Sequence, residues 1–83
     1  MARIAFYGRL QDSAGTRELV ADLPADIKDA AALRIWLGRD NPRLGDSLAD
    51  PAVLVAVNDV LAGGNPTVGP QDEIAFLPPM SGG

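Results

Sequence analysis

One helical segment between two groups of strand-like segments is the feature of this sequence that most restricts its fold. Alternating or continuous apolar patterns predict strands at residues 3–8, 17–23, 53–57, 60–62 and 73–77. The helical spacing of apolar residues predicts one substantial helix from about residue 27 to residue 39, with Asp26 as its N-cap. The chain has 83 residues, which suffices for one domain with one modest core.

The order β-β-α-β-β-β predicts an α+β fold in which a mixed sheet of four to five strands packs on one main helix. This is the β-grasp, or ubiquitin-like, arrangement, and its first and last strands run parallel at the centre of the sheet. We expect residues 1–78 to form the β-grasp domain. Residues 79–83 are expected to form a flexible C-terminal tail, because Pro78 and Pro79 cannot continue a sheet ladder.

The period of two along each strand predicts which side chains face the helix and which face the other side of the sheet. The residues expected to face the helix are Ile4, Phe6, Ile74 and Phe76. Tyr7, Ala75 and Leu77 then lie on the opposite face, where Leu61 of the neighbouring hairpin joins them.

Other local expectations concern two connecting segments and the apolar stripe of the main helix. Residues 11–16 are polar and contain glycine, which predicts a loop, and residues 44–48 predict a short helical turn. Ile35 and Trp36 are expected to broaden the apolar stripe of the main helix, with Trp36 buried or half-buried.

Composition excludes several classes of function. The chain contains no cysteine and no histidine, which removes the thiolate nucleophile and the usual metal ligands, so no metal site is expected. The net charge of −4 argues against nucleic-acid and anionic-membrane partners, both of which select a surplus of Lys and Arg. There is no long apolar stretch and no signal-peptide pattern, so we expect a cytoplasmic protein.

The sequence closes with Gly82-Gly83, called the diglycine below. Two residues without side chains would leave a terminal carboxyl group sterically open, so that it could enter a narrow partner channel and be adenylated there. The alternative is an inert tail, because most chain termini are simply frayed. The diglycine alone does not decide between a reactive terminus and an inert one.

Segments along the whole chain resemble the small subunits of molybdopterin synthase, the ubiquitin-like sulfur carriers of molybdenum cofactor biosynthesis. The most specific segment is the ending, residues 72–83, in which an acidic turn, a strand, two prolines and the diglycine follow one another. The other segments are Phe6-Tyr7-Gly8, Ala14-Gly15-Thr16 and Val55-Ala56-Val57-Asn58.

The resemblance implies a two-stage chemistry at Gly83, supported by Gly82. An adenylating partner resembling ubiquitin-activating enzymes would use ATP to activate the Gly83 carboxylate, and sulfur would then replace AMP to give a thiocarboxylate. The large subunit of the synthase would receive this sulfur and convert a cyclic pyranopterin monophosphate to the dithiolene of molybdopterin. The chain would be one subunit of a sulfurtransferase, usually a heterotetramer; it would bind no cofactor and would not be catalytic alone.

The resemblance also implies a partner-binding surface. Tyr7, Leu61 and Leu77 match positions where the family presents apolar side chains to its partner, and the tail residues Pro78, Pro79, Met80 and Ser81 lead into that partner. Other functions stay open, namely a sulfur carrier for thiazole or cysteine biosynthesis, a modifier attached to lysines, and an interaction module with an inert tail.

Overall fold

The computed structural model describes residues 1–79, and these form one five-stranded sheet with three helices. The elements are β1 (Ala2–Phe6), α1 (Leu10–Ala14), β2 (Glu18–Ala21), α2 (Ala30–Arg39), α3 (Pro42–Leu48), β3 (Leu54–Val57), β4 (Val60–Ala62) and β5 (Glu73–Leu77). The strand order is β2-β1-β5-β3-β4, with β1 and β5 parallel and the other pairs antiparallel. The predicted β-grasp fold is confirmed.

The core lies between the sheet and the helices, as the alternation predicted. Ile4 pairs with Ile74 and Phe6 with Phe76 in the parallel ladder, and all four side chains are at most 1% exposed. The two phenylalanine rings stack with centroids 6.1 Å apart and planes 14° apart. Burying each such side chain contributes about 1.5–3 kcal/mol to folding. The helices complete this core with Leu10, Leu33, Leu37, Leu44 and Leu48.

The predicted start of the main helix is wrong, since α2 begins three residues later than expected. Its N-cap is Asp29, which has extended backbone and whose Oδ1 accepts a hydrogen bond from the Ala32 N–H at 2.8 Å. The backbone at the start of α2 pairs with a loop that is distant in sequence, and the residues before Asp29 do not form a helix. Asp29 bridges Thr67, and the Lys28 carbonyl accepts from the Val68 N–H at 3.0 Å. This long-range pairing prevents a helix from starting at Asp26.

The predicted loop at residues 11–16 is also wrong in part, because α1 occupies most of it. Leu10 anchors this short helix by burying its side chain in the core, at 1% exposure. Gly15 ends it in the left-handed region, with φ +77, and donates its N–H to the carbonyl of Gln11. A single buried leucine gives little periodic signal, which is why the helix was missed.

Helix α3, which follows α2, is longer than the short helical turn predicted at residues 44–48. Helix α3 starts at Pro42 and is capped by Asn41, whose Oδ1 accepts from the Leu44 N–H at 3.2 Å. It packs closely on α2, where a Cβ on Gly38 would lie 2.6 Å from the Cα of Gly45. The two helices can therefore approach through their backbones only because both positions are glycine.

The two apolar residues expected to widen the α2 stripe have different outcomes. Trp36 is partly buried and packs against the core, as predicted. Ile35 is 72% exposed, so the prediction that it joins the stripe is wrong. The buried face of α2 is narrow because only its Ala30, Leu33 and Leu37 positions are buried.

Arg34 connects the helical layer to the sheet. Its guanidinium donates from Nη1 to the Leu48 carbonyl at 2.8 Å and from Nη2 to the Val53 carbonyl at 3.0 Å. The same group lies 5.4 Å from the ring centroid of Phe76, in cation–π geometry. Burial lowers the pKa of Arg34 from its ordinary value. The side chain thus joins α2, the end of α3 and the segment that enters β3.

Candidate functional site

The side of the sheet opposite the helices, called the open face below, carries a continuous apolar patch. Two rows of paired residues cross the strands. The Leu54–Leu77 pair is extended by Tyr7, because the Tyr7 N–H donates to the Phe76 carbonyl at 3.1 Å and continues the β1–β5 ladder. The second row runs through Ala5, Ala75, Ala56 and Leu61. These seven residues form the open-face patch.

The side chains of the open-face patch differ in size and in exposure. Tyr7 is 50% exposed and Leu61 60% exposed, whereas Leu54 and Leu77 are partly buried. The alanines of the central strands lie between them and leave room above the sheet. Contiguous apolar areas on small domains are candidate surfaces for interaction, and the open-face patch is such an area.

The other end of the open face is charged. Arg3 lies between two carboxylates, with its Nε 3.3 Å from Glu18 Oε1 and its Nη1 3.9 Å from Glu73 Oε1. All three side chains are about half exposed, so the ion pairs add at most about 1 kcal/mol to stability. Because β1 and β5 are parallel, Arg3 and Glu73 lie at their starts and the apolar patch at their ends.

The chain leaves the sheet at the apolar end of the open face. Pro78 follows the last residue of β5 and lies against Gly8, where a Cβ would be 2.9 Å from the Pro78 Cγ. Gly8 has φ +55, the left-handed region that favours glycine. Pro78 and Pro79 are both partly buried. The segment that leads towards the diglycine therefore starts beside Tyr7 and Leu77.

The start of β5 is fixed by a polar network. Asn58 has φ 51 in the β3–β4 turn, and its Nδ2 donates to Asp72 Oδ1 at 3.0 Å. Its Oδ1 accepts from the Glu73 N–H at 3.0 Å, while Asp72 Oδ2 accepts from the Gly69 N–H at 2.7 Å. These bonds set the register of β5, and so they set which of its side chains reach the open face.

Comparisons with known proteins identify the family. The ThiS family profile matches residues 4–83, nearly the whole chain. The chain belongs to the ThiS family. It is 30% identical over 83 residues to the molybdopterin synthase sulfur carrier subunit of Escherichia coli K12, covering 100% of both chains. The subunit of that name from Haemophilus influenzae is 36% identical over 74 residues, covering 84% of this chain and 91% of its own.

Solved structures agree with the fold. The small archaeal modifier protein SAMP1 of Haloferax volcanii superposes with a TM-score of 0.76 and 24% identity, covering 99% of this chain and 98% of its own. This likeness concerns the β-grasp fold alone. Together with the two sulfur carrier subunits, the family match confirms the resemblance seen in the sequence.

The structure brings together most of the described residues that the sequence predicted for the site of this ThiS-family chain. Tyr7, Leu77 and Pro78 are neighbours, and Leu61 joins them through the alanine row. Pro79 follows directly. Met80, Ser81, Gly82 and Gly83 lie outside the described residues. The partner-binding and catalytic roles of all these residues stay predictions.

Sequence reasoning missed Leu54 and Gly8. The strand at residues 53–57 is apolar throughout, so its pattern alone did not assign a face; the antiparallel register with β5 would have placed Leu54 opposite Leu77. Nothing in the sequence near Gly8 indicates its contact with Pro78, because the two residues are far apart along the chain. Only the parallel pairing of the first and last strands could have suggested it.

The described residues offer little to a metal ion. Across residues 1–79, no group of three or more acidic side chains is arranged to hold one. Within the same range, no helix is both long and apolar enough to cross a membrane.

Proposed function

We propose that this chain is the sulfur carrier subunit of a molybdopterin synthase, and that Gly83 carries the sulfur as a C-terminal thiocarboxylate. One observation carries the proposal: the chain leaves the central strand β5 at the apolar end of the open face. The surface that docks on a partner and the segment that enters it are therefore contiguous. The names of the two curated relatives support the same function.

The first proposed step is activation of the Gly83 carboxylate. A carboxylate oxygen attacks the α-phosphorus of ATP held by an adenylating enzyme of the ubiquitin-activating type, and pyrophosphate leaves. The resulting acyl adenylate is an electrophile with AMP as its leaving group. Glycine at residues 82 and 83 keeps the reacting carbonyl free of side chains on either side.

The second proposed step replaces AMP with sulfur. The terminal sulfur of a persulfide donor attacks the acyl carbon and AMP departs, which leaves an acyl disulfide. A thiol reductant then cleaves the sulfur–sulfur bond, releasing the thiocarboxylate at Gly83 and the donor thiol, while the reductant becomes a disulfide. The chain itself has no cysteine that could compete for this sulfur.

The third proposed step takes place on the large subunit. In each transfer the thiocarboxylate sulfur attacks a carbon of the cyclic pyranopterin monophosphate and displaces an oxygen substituent from that carbon. Water then cleaves the acyl–sulfur bond, so the sulfur stays on the precursor and Gly83 returns as a carboxylate. Two such transfers supply the dithiolene of molybdopterin. In this step the open-face patch binds the large subunit, and Pro78, Pro79, Met80 and Ser81 lead the diglycine to the bound precursor.

The proposed complex contains two kinds of subunit with different roles. The small subunit supplies the sulfur and a docking face, and the large subunit supplies the precursor site, so neither is catalytic alone. We propose a heterotetramer of two large subunits with one carrier at each end, in the cytoplasm. ATP is consumed by the activating partner.

Intact-mass spectrometry tests the proposal most simply. The purified chain is incubated with ATP, the activating enzyme, a persulfide donor and a thiol reductant. We expect the mass increase that accompanies exchange of one carboxyl oxygen for sulfur. A chain lacking Gly83, and a chain extended beyond Gly83, should show no increase; an undiminished increase in either variant contradicts Gly83 as the acceptor.

Gly82→Val serves as a second variant. A β-branched residue restricts the backbone and widens the chain next to the reacting carbonyl, so sulfur loading should fall. The melting temperature should stay close to that of the wild type, because the substitution lies beyond the packed strands. Normal loading of this variant would argue against a narrow partner channel.

The partner that accepts the sulfur separates this function from its alternatives. A carrier for thiazole or cysteine biosynthesis would acquire the same thiocarboxylate but would not deliver it to the molybdopterin synthase large subunit. A lysine modifier would instead appear as a covalent adduct on target proteins. Incubating the loaded chain with purified large subunit and precursor, and measuring dithiolene formation, distinguishes these outcomes.

A further inference from the structure

The contact between Gly8 and Pro78 places a constraint on the start of the tail. A Cβ at residue 8 would lie 2.9 Å from the Pro78 Cγ, which is well inside the optimal separation of about 3.5–4.0 Å for two carbon atoms. The atom it would meet belongs to a proline ring, in which closure to the backbone nitrogen limits the Cγ to the small movement that a change of ring pucker allows. Any side chain at residue 8 would therefore displace Pro78 or the turn itself.

The turn that contains Gly8 is fixed on both sides. Before it, the Tyr7 N–H donates to the Phe76 carbonyl at 3.1 Å, which ties the turn to the central ladder. After it, the Leu10 N–H donates to the Tyr7 carbonyl at 3.1 Å, and Leu10 is buried in the core at 1% exposure. The turn is thus held at both ends, so a side chain added at residue 8 would press on Pro78.

We propose that Gly8 is a positioning residue for sulfur transfer, which sets the direction in which the chain leaves β5 by providing the surface on which Pro78 packs. This inference rests on the proposed function. Pro78 begins the segment that leads to Gly83, so in the complex, where the large subunit holds the far end of that segment, its direction at Pro78 affects how the reacting carboxyl group reaches the bound precursor. Misplacing a reacting group by about 1 Å can lower a rate by about 100-fold, so a small displacement of the ring has a large effect.

Gly15 provides a matched control for the backbone strain of a substitution at Gly8. It also has a positive φ, of +77, and it flanks the other end of α1, but no atom lies within 4 Å of the Cβ that an alanine would add. Gly15→Ala should therefore lower the melting temperature through backbone strain alone, whereas Gly8→Ala combines this strain with the contact to Pro78. Only Gly8→Ala introduces a clash with the tail.

The test compares the two variants in complex with the purified large subunit, after both have been loaded with sulfur. Gly8→Ala should lower the single-turnover rate of sulfur transfer by about tenfold or more, with little change in the dissociation constant of the complex, since the open-face patch is intact. Gly15→Ala should transfer sulfur at the wild-type rate. Equal rates in the two variants would overturn the inference.

Pro78→Ala extends the test to a variant that keeps Gly8 unchanged. It removes the ring that packs on the turn, so it should also lower the single-turnover rate of sulfur transfer within the saturated complex. In that background Gly8→Ala should add no further loss, because the Pro78 Cβ would be an ordinary 3.9 Å from the new Cβ. Independent, additive losses would contradict a shared contact. A wild-type chain that acquires no sulfur would overturn the proposed function and this inference together. Because every variant is loaded with sulfur before the measurement, differences in loading do not affect the transfer rates.

Discussion

The two faces of the sheet present different side chains of the same strands, buried on one face and exposed or partly exposed on the other. On the inner face, Phe6 and Phe76 stack under the helices and are at most 1% exposed. On the open face, the residues next to them in sequence, Tyr7 and Leu77, form part of an apolar patch that no helix among residues 1–79 covers. Because successive side chains of a strand point to opposite faces, neighbouring positions can serve folding and docking separately.

Apolar character alone does not assign a side chain to the core or to the surface in this chain. Leu61 and Leu48 are both leucines, yet Leu48 is fully buried and Leu61 is 60% exposed. The open face is charged at one end, around Arg3, and apolar at the other end. Within the described part of the chain, the inner face has no such division. Substitutions on the two faces should therefore change different measurements.

The largest expected effect is on folding and comes from the inner face. Phe76→Ala removes a buried ring and its stacking partner's contact, which should cost about 3–5 kcal/mol of unfolding free energy. Urea unfolding followed by circular dichroism measures this loss, with Leu77→Ala as the control on the open face. If Leu77→Ala destabilises the domain as much as Phe76→Ala, the two faces are not functionally distinct.

A smaller loss of stability is expected at Arg34, which supports the inner face from α2. Arg34→Met keeps an unbranched apolar side chain but leaves the Leu48 and Val53 carbonyls without their donors. We expect the unfolding free energy to fall by about 2 kcal/mol. Arg34→Lys should recover only part of this unfolding free energy, because an ammonium group lacks the planar arrangement of donors with which the guanidinium reaches both carbonyls. A full recovery would mean that charge alone matters at this position.

The next effect should appear in binding and leave folding unchanged. Leu61→Ser removes an exposed apolar side chain at the edge of the open-face patch, so the unfolding free energy should change by less than about 0.5 kcal/mol. Affinity for the large subunit should fall about tenfold, equivalent to about 1.4 kcal/mol. Calorimetric titration measures it, and an unchanged affinity would place Leu61 outside the interface.

The smallest effect is expected from the charged end of the open face. Arg3→Ala breaks two exposed ion pairs and should lower stability by no more than about 0.5–1 kcal/mol. The loss should shrink as salt is added, since exposed charges are screened. A salt-independent loss of several kcal/mol would show that Arg3 contributes to folding in a way its exposure does not indicate.

The sequence predicted the features that depend on local pattern and, through the order of the elements, the parallel pairing of the first and last strands, but it missed individual contacts between distant residues. Ile4, Phe6, Ile74 and Phe76 were assigned correctly because strand alternation is a property of adjacent residues. The helix start at Asp29 was missed because the preceding residues pair with residues 66–68, which no local signal reveals.

The same distinction applies to the candidate site. Tyr7 and Leu77 could be placed on one face from alternation, whereas Leu54 required the register between β3 and β5. The Gly8–Pro78 contact required both the parallel pairing of the terminal strands and the left-handed backbone at Gly8. Chemistry at the diglycine was inferred from resemblance and stays a proposal.

The central claim, that the open face docks while the inner face folds the domain, is tested most directly by titrating Leu77→Glu and Ile35→Glu with the purified large subunit. Both replace an apolar side chain with the same charge, but Leu77 lies in the open-face patch and Ile35 is 72% exposed on α2. Burying an unpaired charge costs several kcal/mol, so Leu77→Glu should weaken binding by about 100-fold or more. Ile35→Glu should bind as the wild type does, and circular dichroism should show both variants folded. A folded Leu77→Glu protein that binds at full affinity would contradict the claim.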